Sequence, residues 1–494
     1  MLHFFPMGVV LSDFVPQPVF DEDPGLVEFY RKAWDHVASL LVEDPALPQP
    51  AHMDAVPVSG TAHRISDACF LAVLCKYAYG ALPGVESLRN FYEALYGPAG
   101  QPPDAPVPKI PFEVSVEGSA PLFGWAEYET ALVSGDVRHV RAILRGGHLR
   151  RHYEKLEALE AAPRGAHVSF NAARRVRGYH WNEAAAGTPG AGRGLGLPPE
   201  QVFWVDLLAQ QCLSALCISR LAALVCDTTL SAKWRGKFSG KKTLLRRWYW
   251  NPRDSFFDDI DSTTMRHVQR ATPAGFWPLV AGCPDLMETE EIARQLCDPA
   301  KFGGEFPFPS LPRDDPDFDP GAGAGWRGAI RVQAAYVALR GLSHYGRHED
   351  ARILGRALVE QVRRTYETFE PHGFWEFYSP SAAEPARPAP GRKGRAAAPD
   401  RTGGAALAPI CVFLENVIGI YYVDAFRRLV EWSPPASTGR VGVRNLRFGD
   451  NSVDMILDGA RCLVRATAPF TLQIRDVRYP VPAGSTILPL PSAP

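Results

Sequence analysis

Apolar residues recur every three or four positions along most of this chain. Over residues 26–43, Leu26, Tyr30, Trp34, Val37 and Leu41 fall on one helical face, with Asp23 placed to cap and Pro24 near the first turn. The same period predicts helices near 66–81, 121–134, 137–161, 202–227, 287–297, 328–345, 349–369 and 409–432, joined by Pro- and Gly-rich connections. Paired helices of this kind build either an α-solenoid or a closed toroid of helical hairpins, and the lack of a fixed repeat length favours the toroid. The most apolar segments, including 202–227 and 409–432, belong on its inside.

After Trp432 the period falls to two. VGVRNLRFG, VDMILDG, CLVRAT, FTLQIRD and STILPL are short alternating runs parted by Gly, Asp, Asn and Pro. They predict a small antiparallel β-module over 439–494, after a mainly α domain over 1–434. Two stretches read as flexible inserts. Residues 183–199 are rich in Ala, Gly and Pro, and residues 379–408 are dominated by Pro, Ala, Gly and Arg, too poor in large apolar side chains to form a core. The glycines of 183–199 lack the G-x-G-x-x-G spacing and the preceding strand of a phosphate cradle, so the segment reads as a plain loop.

Charge removes several function classes. Lys and Arg number 53 against 54 Asp and Glu, a net charge of -1, so no overall basic field draws nucleic acid or anionic lipid. The long apolar segment 202–226 is interrupted by Asp206, Gln210, Gln211 and Arg220, which argues against a membrane span. Nine scattered cysteines without a C-x-x-C pair read as reduced, buried thiols, and 13 histidines without H-E-x-x-H leave no metal or other cofactor expected. The opening MLHFFPMGVVLSDF lacks a basic leader region, from which a cytoplasmic protein is expected.

Three segments are dense in aromatics, acids and glycine: WYWNPRDSFFDDID (248–261), KFGGEFPFPSLPRDDPDFDPGAGAGWRGAIR (301–331) and HGFWEFYSP (372–380). Rings that stack on sugar faces beside carboxylates that take hydroxyls make such a pattern, although any one of these aromatics could equally belong to the core. These segments, with ISDACFLAVLCKYA (65–78), PGVESLRNFY (83–92), PLFGWAEYETALVSGD (121–136), VFWVDLLAQQCLSAL (202–216), FWPLVAG (276–282) and LAPICVFLENVIGI (407–420), occur in the order seen in one family. The chain resembles the clan of (α/α)6-toroid inverting glycosidases that includes trehalases, mannosyl-oligosaccharide glucosidases and mannosylglycerate or glucosylglycerate hydrolases.

The resemblance implies an (α/α)6 toroid and inverting hydrolysis of an α-glucoside or α-mannoside in a small sugar conjugate or oligosaccharide, with a small-molecule carbohydrate as partner. Such a reaction uses two carboxyl groups about 6.5–9.5 Å apart, one protonating the leaving oxygen and one activating water. The clan's W-E-x-Y-x-P segment is Trp375 to Pro380 here, which implies Glu376 as base. Its proton donor lies in a motif like S-G-M-D-N-T-P-R, and the corresponding GYHWNEAAAGTPGAGRG (178–194) holds no aspartate. Glu183 is the nearby carboxyl, either a displaced acid or an ordinary loop residue. Asp67, Trp181, Trp250, Phe302, Trp326, Arg327, Trp375 and Tyr378 are implied as substrate-binding. Other positions depart from the pattern: Ser66 and Arg331 stand where the clan has tryptophans, and Arg89 where it has aspartate. Weak or absent turnover is expected, and the alternative is a catalytically degenerate carbohydrate-binding or interaction protein on the same fold.

Overall fold

The computed structural model describes residues 11–55, 62–102, 104–114, 120–158, 160–161, 170–171, 202–321, 327–386 and 402–489. Its helices are α1 Pro24–Ala38, α2 Ile65–Cys75, α3 Leu88–Tyr96, α4 Phe123–Ser134, α5 Val137–Gly146, α6 His148–Glu157, α7 Val205–Leu224, α8 Thr228–Leu244, α9 Trp277–Val280, α10 Leu286–Cys297, α11 Val332–His344 and α12 His348–Thr368. A further helical segment runs Ala408–Val417, with π-type turns that continue as Ile418 N–H to Phe413 O at 2.8 Å.

Apolar patterning sorts these helices into two sets. In α2, α4, α7, α11 and Ala408–Val417 nearly every side chain is buried, as expected for helices apolar all round. Among them α2 packs on α4, α4 on α7, α7 on α9, α9 on α11 and α11 on Ala408–Val417. More polar helices lie alongside, α8 against α7 and the amphipathic α12 against both α11 and Ala408–Val417. Helix starts differ too, although α12, like the buried helices, has no side-chain cap. Asp23, Asp136, Asp227 and Asp285 cap α1, α5, α8 and α10 through their side chains. In contrast α2, α4, α7 and α11 begin on Arg64, Leu122, Trp204 and Arg331, none of which makes a side-chain cap.

Nine strands make the sheet region. A five-stranded sheet runs in the order Gln17–Phe20, Val441–Phe448, Asn451–Asp458, Arg461–Ala466, Gly484–Pro489, and a four-stranded one Ile420–Asp424, Leu429–Trp432, Phe470–Ile474, Val477–Val481. Alternation is plain in Arg461–Ala466, where Cys462, Val464 and Ala466 are buried between exposed neighbours.

Several expectations need correction. The predicted helix 409–432 stops at Val417 and gives way to two strands, so the sheet region begins before residue 439; it also takes a strand from Gln17–Phe20 near the chain's start. Its pairing is mixed, since Leu429–Trp432 runs parallel to Phe470–Ile474. The predicted 137–161 helix breaks at Gly147 (φ 77°) into α5 and α6, and the 26–43 helix ends at Ala38 before a strand Leu41–Glu43. Helix α8 was not predicted, because lysines and glycines dilute its apolar stripe to Trp234 and few others. The insert at 379–408 is in part ordered: Gly403–Leu407 is buried throughout, small residues fitting where larger ones would collide with Leu40 and Gln333. Residues 183–199 lie outside the described residues.

Gly419 explains where the long helix ends. Its φ of 92° is open to glycine, its N–H reaches Leu414 O at 3.1 Å, and an added Cβ would run into the carbonyl of Ser433. Gly419→Ala should therefore lower stability by at least about 1–2 kcal/mol, the penalty of left-handed backbone for an L-residue, read as a reduced denaturant midpoint. An unchanged midpoint would mean that the turn relaxes freely.

The α4–α5 corner carries a titratable contact. His139 Nε2 lies 2.7 Å from Glu127 Oε2, whose other oxygen accepts from the Tyr92 hydroxyl at 2.8 Å. The carboxylate, opposed by desolvation, raises the imidazole pKa from 6.5 to about 9. Because the folded value is the higher one, this stabilisation is complete below pH 6.5 and lost as pH rises through 9. Histidine NMR titration of the folded protein should find one ring with its midpoint near 9, absent in Glu127→Gln.

Candidate active site

The site is assembled at the starts of α2 and α11. Residue Ile330 exchanges backbone hydrogen bonds with Tyr378, N to O at 2.8 Å in both directions, and this bridge sets the segment around Glu376 beside Arg331. Arg64, just before α2, donates from Nε to Asp67 Oδ2 at 2.7 Å and reaches Glu376 Oε1 at 3.4 Å. Arg331, just before α11, places Nη2 at 3.4 Å from Asp67 Oδ1 and 3.1 Å from the same Glu376 Oε1. Two guanidinium groups thus clamp two carboxylates.

Helix electrostatics make this arrangement unusual. A cation at a helix N-terminus opposes the positive end of the dipole, and two arginines do so here. Asp67, in the first turn of α2, and Glu376 supply the compensating charge. Burial pushes the Asp67 carboxyl up, while Arg64 and Arg331 pull it down, and burial prevails. The Arg331 guanidinium also lies 5.7 Å from the centre of the Phe377 ring, closing one side of the cluster.

Glu376 is held by one oxygen. Both arginines bear on Oε1, whereas Oε2 accepts no hydrogen bond from the described residues, and the side chain keeps 11% exposure. Asp67 is tied to the same two guanidinium groups as Glu376. Since the two carboxylates share one nitrogen of Arg331, their bonded oxygens cannot stand beyond the lower end of the ~6.5–9.5 Å spacing of an inverting pair.

The remaining residues expected from sequence divide. Tyr378 and Phe302 are wholly buried, which corrects their assignment as pocket walls. The Tyr378 hydroxyl accepts from the Trp375 N–H at 3.2 Å, and Phe302 sits among Phe256 and Phe276 with ring centres 5.8 and 5.3 Å away. Trp375 is also buried, edge-on to Phe369, which corrects its assignment as a pocket wall. Trp250 is half-buried on a short hairpin against Phe257. Arg327 is half-buried and 3.9 Å from Asp319. Trp181, Glu183 and Trp326 lie outside the described residues.

Sequence reasoning missed Arg64 and the clamping role of Arg331. The available signal was a basic residue at the start of a buried helix where a cap belongs, a local rule broken without local gain. It also missed Asp258, a buried carboxyl that accepts from Asn251 at 2.7 Å and that burial pushes up to about 7. Its neighbour Asp259 accepts from the Val205 N–H at 2.8 Å, closing the start of α7. No group of three or more His, Cys, Asp and Glu suited to a metal occurs among the described residues.

Comparison with known proteins places this cluster in context. Residues 151–395 match the family model of the mannosylglycerate hydrolase MGH1-like glycoside hydrolase domain. Over that stretch, just under half of its length, the chain is similar to a glycoside hydrolase domain. Within that class its relationship is to mannosylglycerate hydrolase, in agreement with the (α/α)6 inverting clan. The mannosylglycerate hydrolases MGH1 and MGH2 of Selaginella moellendorffii are each 32% identical over 124 residues, 24% of this chain and 22% of theirs. An uncharacterized protein of Borreliella burgdorferi is 23% identical over 347 residues, covering 68% of this chain and 66% of its own length. The chain therefore spans about a fifth of the plant hydrolases in alignment and just under two thirds of the bacterial protein.

In fold, the chain is similar to the GH63 mannosylglycerate hydrolase of Thermus thermophilus, with a TM-score of 0.56 and 17% identity over 77% of this chain and 99% of that one. A sialidase superposes with a TM-score of 0.67 and 13% identity, covering 97% of this chain and 40% of that chain. The Thermus enzyme has been solved in complex with glucose and with Tris and D-glycerate.

Proposed function

We propose that this chain is an inverting glycosidase that acts on an α-glucoside or α-mannoside of a small sugar conjugate or oligosaccharide, with Glu376 as its general base. The observation that carries this reading is the presentation of Glu376: one oxygen anchored by two arginines, the other without a protein partner among the described residues. A base that activates water must be held in place and still offer a lone pair. Arg64 and Arg331 supply the first condition, and the open Oε2 the second. The kinship with mannosylglycerate hydrolase supports the substrate class.

The fold supports the same proposal. The succession α2, α4, α7, α9, α11, Ala408–Val417 returns to its start, because Gly403–Leu407 packs on α2 and on Ala408–Val417. A six-membered ring of inner helices is the core of an (α/α)6 toroid, and the sheet region is then an accessory domain after about residue 434. The donor proposed for the leaving oxygen is Glu183, because Asp67 is already engaged by both arginines that hold the base.

One observation favours a second reading, in which sugar is bound without turnover. Arg331 stands where the related motif carries a tryptophan, so a stacking surface is replaced by a charge that bridges Asp67 and Glu376. Proton NMR on trehalose, mannosylglycerate, glucosylglycerate and related α-glycosides separates the two. Release of the β-anomer first, lost in Glu376→Gln, supports the hydrolase; saturable binding without product supports the second reading. Release of the α-anomer would refute the inverting assignment.

A further inference from the structure

A second polar site lies at the far end of the same inner helices. Below the arginine clamp, Lys76 bridges Glu129 and Glu415 at 3.0 and 2.8 Å, and Arg340 reaches Glu129 at 3.2 Å, Glu415 at 3.3 Å and the Tyr421 carbonyl at 2.9 Å. Tyr77 and Tyr336 donate their hydroxyls to Glu415. Two cations face two anions here, so this layer has no spare charge. It forms the floor of a cavity of about 180 Å³ between α4, α7, α11 and the strands Ile420–Asp424 and Leu429–Trp432. That space is far above the ~10–15 Å³ that admits one water.

Arg220, one turn before the end of α7, is the cavity's unmatched charge. Its guanidinium lies 5.5 Å from the centre of the Tyr128 ring, and among the described residues no carboxylate pairs with it. Lying before the last turn, it gains little from the helix dipole, and a side chain turned out to water would gain as much. Arg220 instead lines the cavity, over an aromatic wall. The other charged lining groups do not cancel it. Glu431 is hydrogen-bonded to Tyr421, with burial pushing its carboxyl up, and Glu129 belongs to the balanced floor. His344 presents exposed surface here, yet desolvation, with Arg220, Arg340 and Lys242 adding to it, brings its pKa down to about 4. It lines the cavity as a wall residue.

We propose that this cavity is a second ligand site, for a small organic anion whose carboxylate or phosphate pairs with Arg220 and whose body lies between Tyr128 and Tyr422. Along α11 the cavity lies about 14–20 Å from the arginine clamp, the rise from Arg331 to Arg340 and His344 at 1.5 Å per residue. The site is thus independent of the catalytic reading.

Calorimetric titration of the full chain with inorganic phosphate, a hexose phosphate and gluconate, with glucose as the neutral control, tests the proposal. At least one anion should bind saturably and glucose should not saturate this site. Arg220→Gln should weaken that binding about 10–100-fold, the usual loss for a charge-assisted contact, with partial recovery in Arg220→Lys. His344→Glu, which sets a negative charge on an exposed wall position, should weaken it as well and serves if Arg220→Gln misfolds. Glu376→Gln should leave it unchanged. Failure of all three anions to saturate the wild type, undiminished affinity in Arg220→Gln or His344→Glu, or loss in Glu376→Gln each overturns the assignment. Binding of phosphate alone identifies an inorganic ion as the occupant and overturns the organic one.

Discussion

Lys76→Met is expected to lower the unfolding free energy by about 3–5 kcal/mol, the scale for removing one partner from a buried ion pair. Lys76 is 4% exposed at its side chain and touches carboxylates that are 10% and 1% exposed, so water cannot replace its ammonium group. Without it, Glu129 and Glu415 share Arg340 alone and one negative charge stays buried and uncompensated. The double variant Lys76→Met/Glu129→Gln should recover part of the loss, because it removes the orphaned charge along with its partner. For contrast, Arg31→Ala breaks a pair with Glu28 that is 60% and 56% exposed, and should change stability by less than about 1 kcal/mol. Denaturant midpoints check all three. A loss for Lys76→Met as small as that of the surface variant would mean that solvent enters the layer.

The same layer sets an acid limit. Burial alone would raise the Glu129 carboxyl, but Arg340 and Lys76 outweigh it and bring its pKa from 4.5 down to about 2. With the folded value depressed, its contribution is complete above pH 4.5 and is lost as pH falls toward 2. Part of the acid unfolding of this protein should accordingly disappear in Glu129→Gln.

The second large effect is catalytic and rests on the proposed function. Glu376→Gln keeps the shape of the side chain and its place beside Arg64 and Arg331 but removes the basic lone pair. Hydrolysis of the best natural α-glycoside should fall about 10²–10⁴-fold, the usual contribution of general acid–base catalysis. The same loss is expected on activated aryl glycosides, whose good leaving groups relieve the acid and leave the base essential. Glu183→Gln should behave differently: it should impair natural substrates and spare aryl ones. Equal turnover of natural substrates by wild type and Glu183→Gln would eliminate Glu183 as donor. Undiminished turnover by Glu376→Gln would remove the base assignment altogether.

Much of the helical body was legible because burial writes itself into the sequence. Residues 123–133 are mostly apolar or small, and α4 is buried on all sides, with Glu127 and Glu129 taken in as paired carboxylates. Glu376 was singled out for another reason: it sits in a short motif between aromatic neighbours that resembles the clan's W-E-x-Y-x-P segment. Phe302 and Tyr378 come from equally recognisable segments and yet belong to the core. A motif identifies which residues travel together, while the direction each side chain takes depends on the backbone bridge between Ile330 and Tyr378 and on the phenylalanine cluster beside it.

By itself the sequence determined the helical periods, the change to period two after Trp432, the balance of charge and the presence of a glycosidase-like set of segments. Those are properties of spacing and composition, which act within a few residues. Only the tertiary structure decided that Arg64 and Arg331, 264 positions or more from their partners Asp67 and Glu376 in two of the four contacts, meet on a shared pair of carboxylates. It alone decided that Gln17–Phe20 joins the sheet of Val441–Phe448, and that Lys76, Glu129, Arg340 and Glu415 cancel one another. Charge pairing and strand pairing depend on distances of a few ångströms between residues far apart in the chain, and no local pattern records such distances.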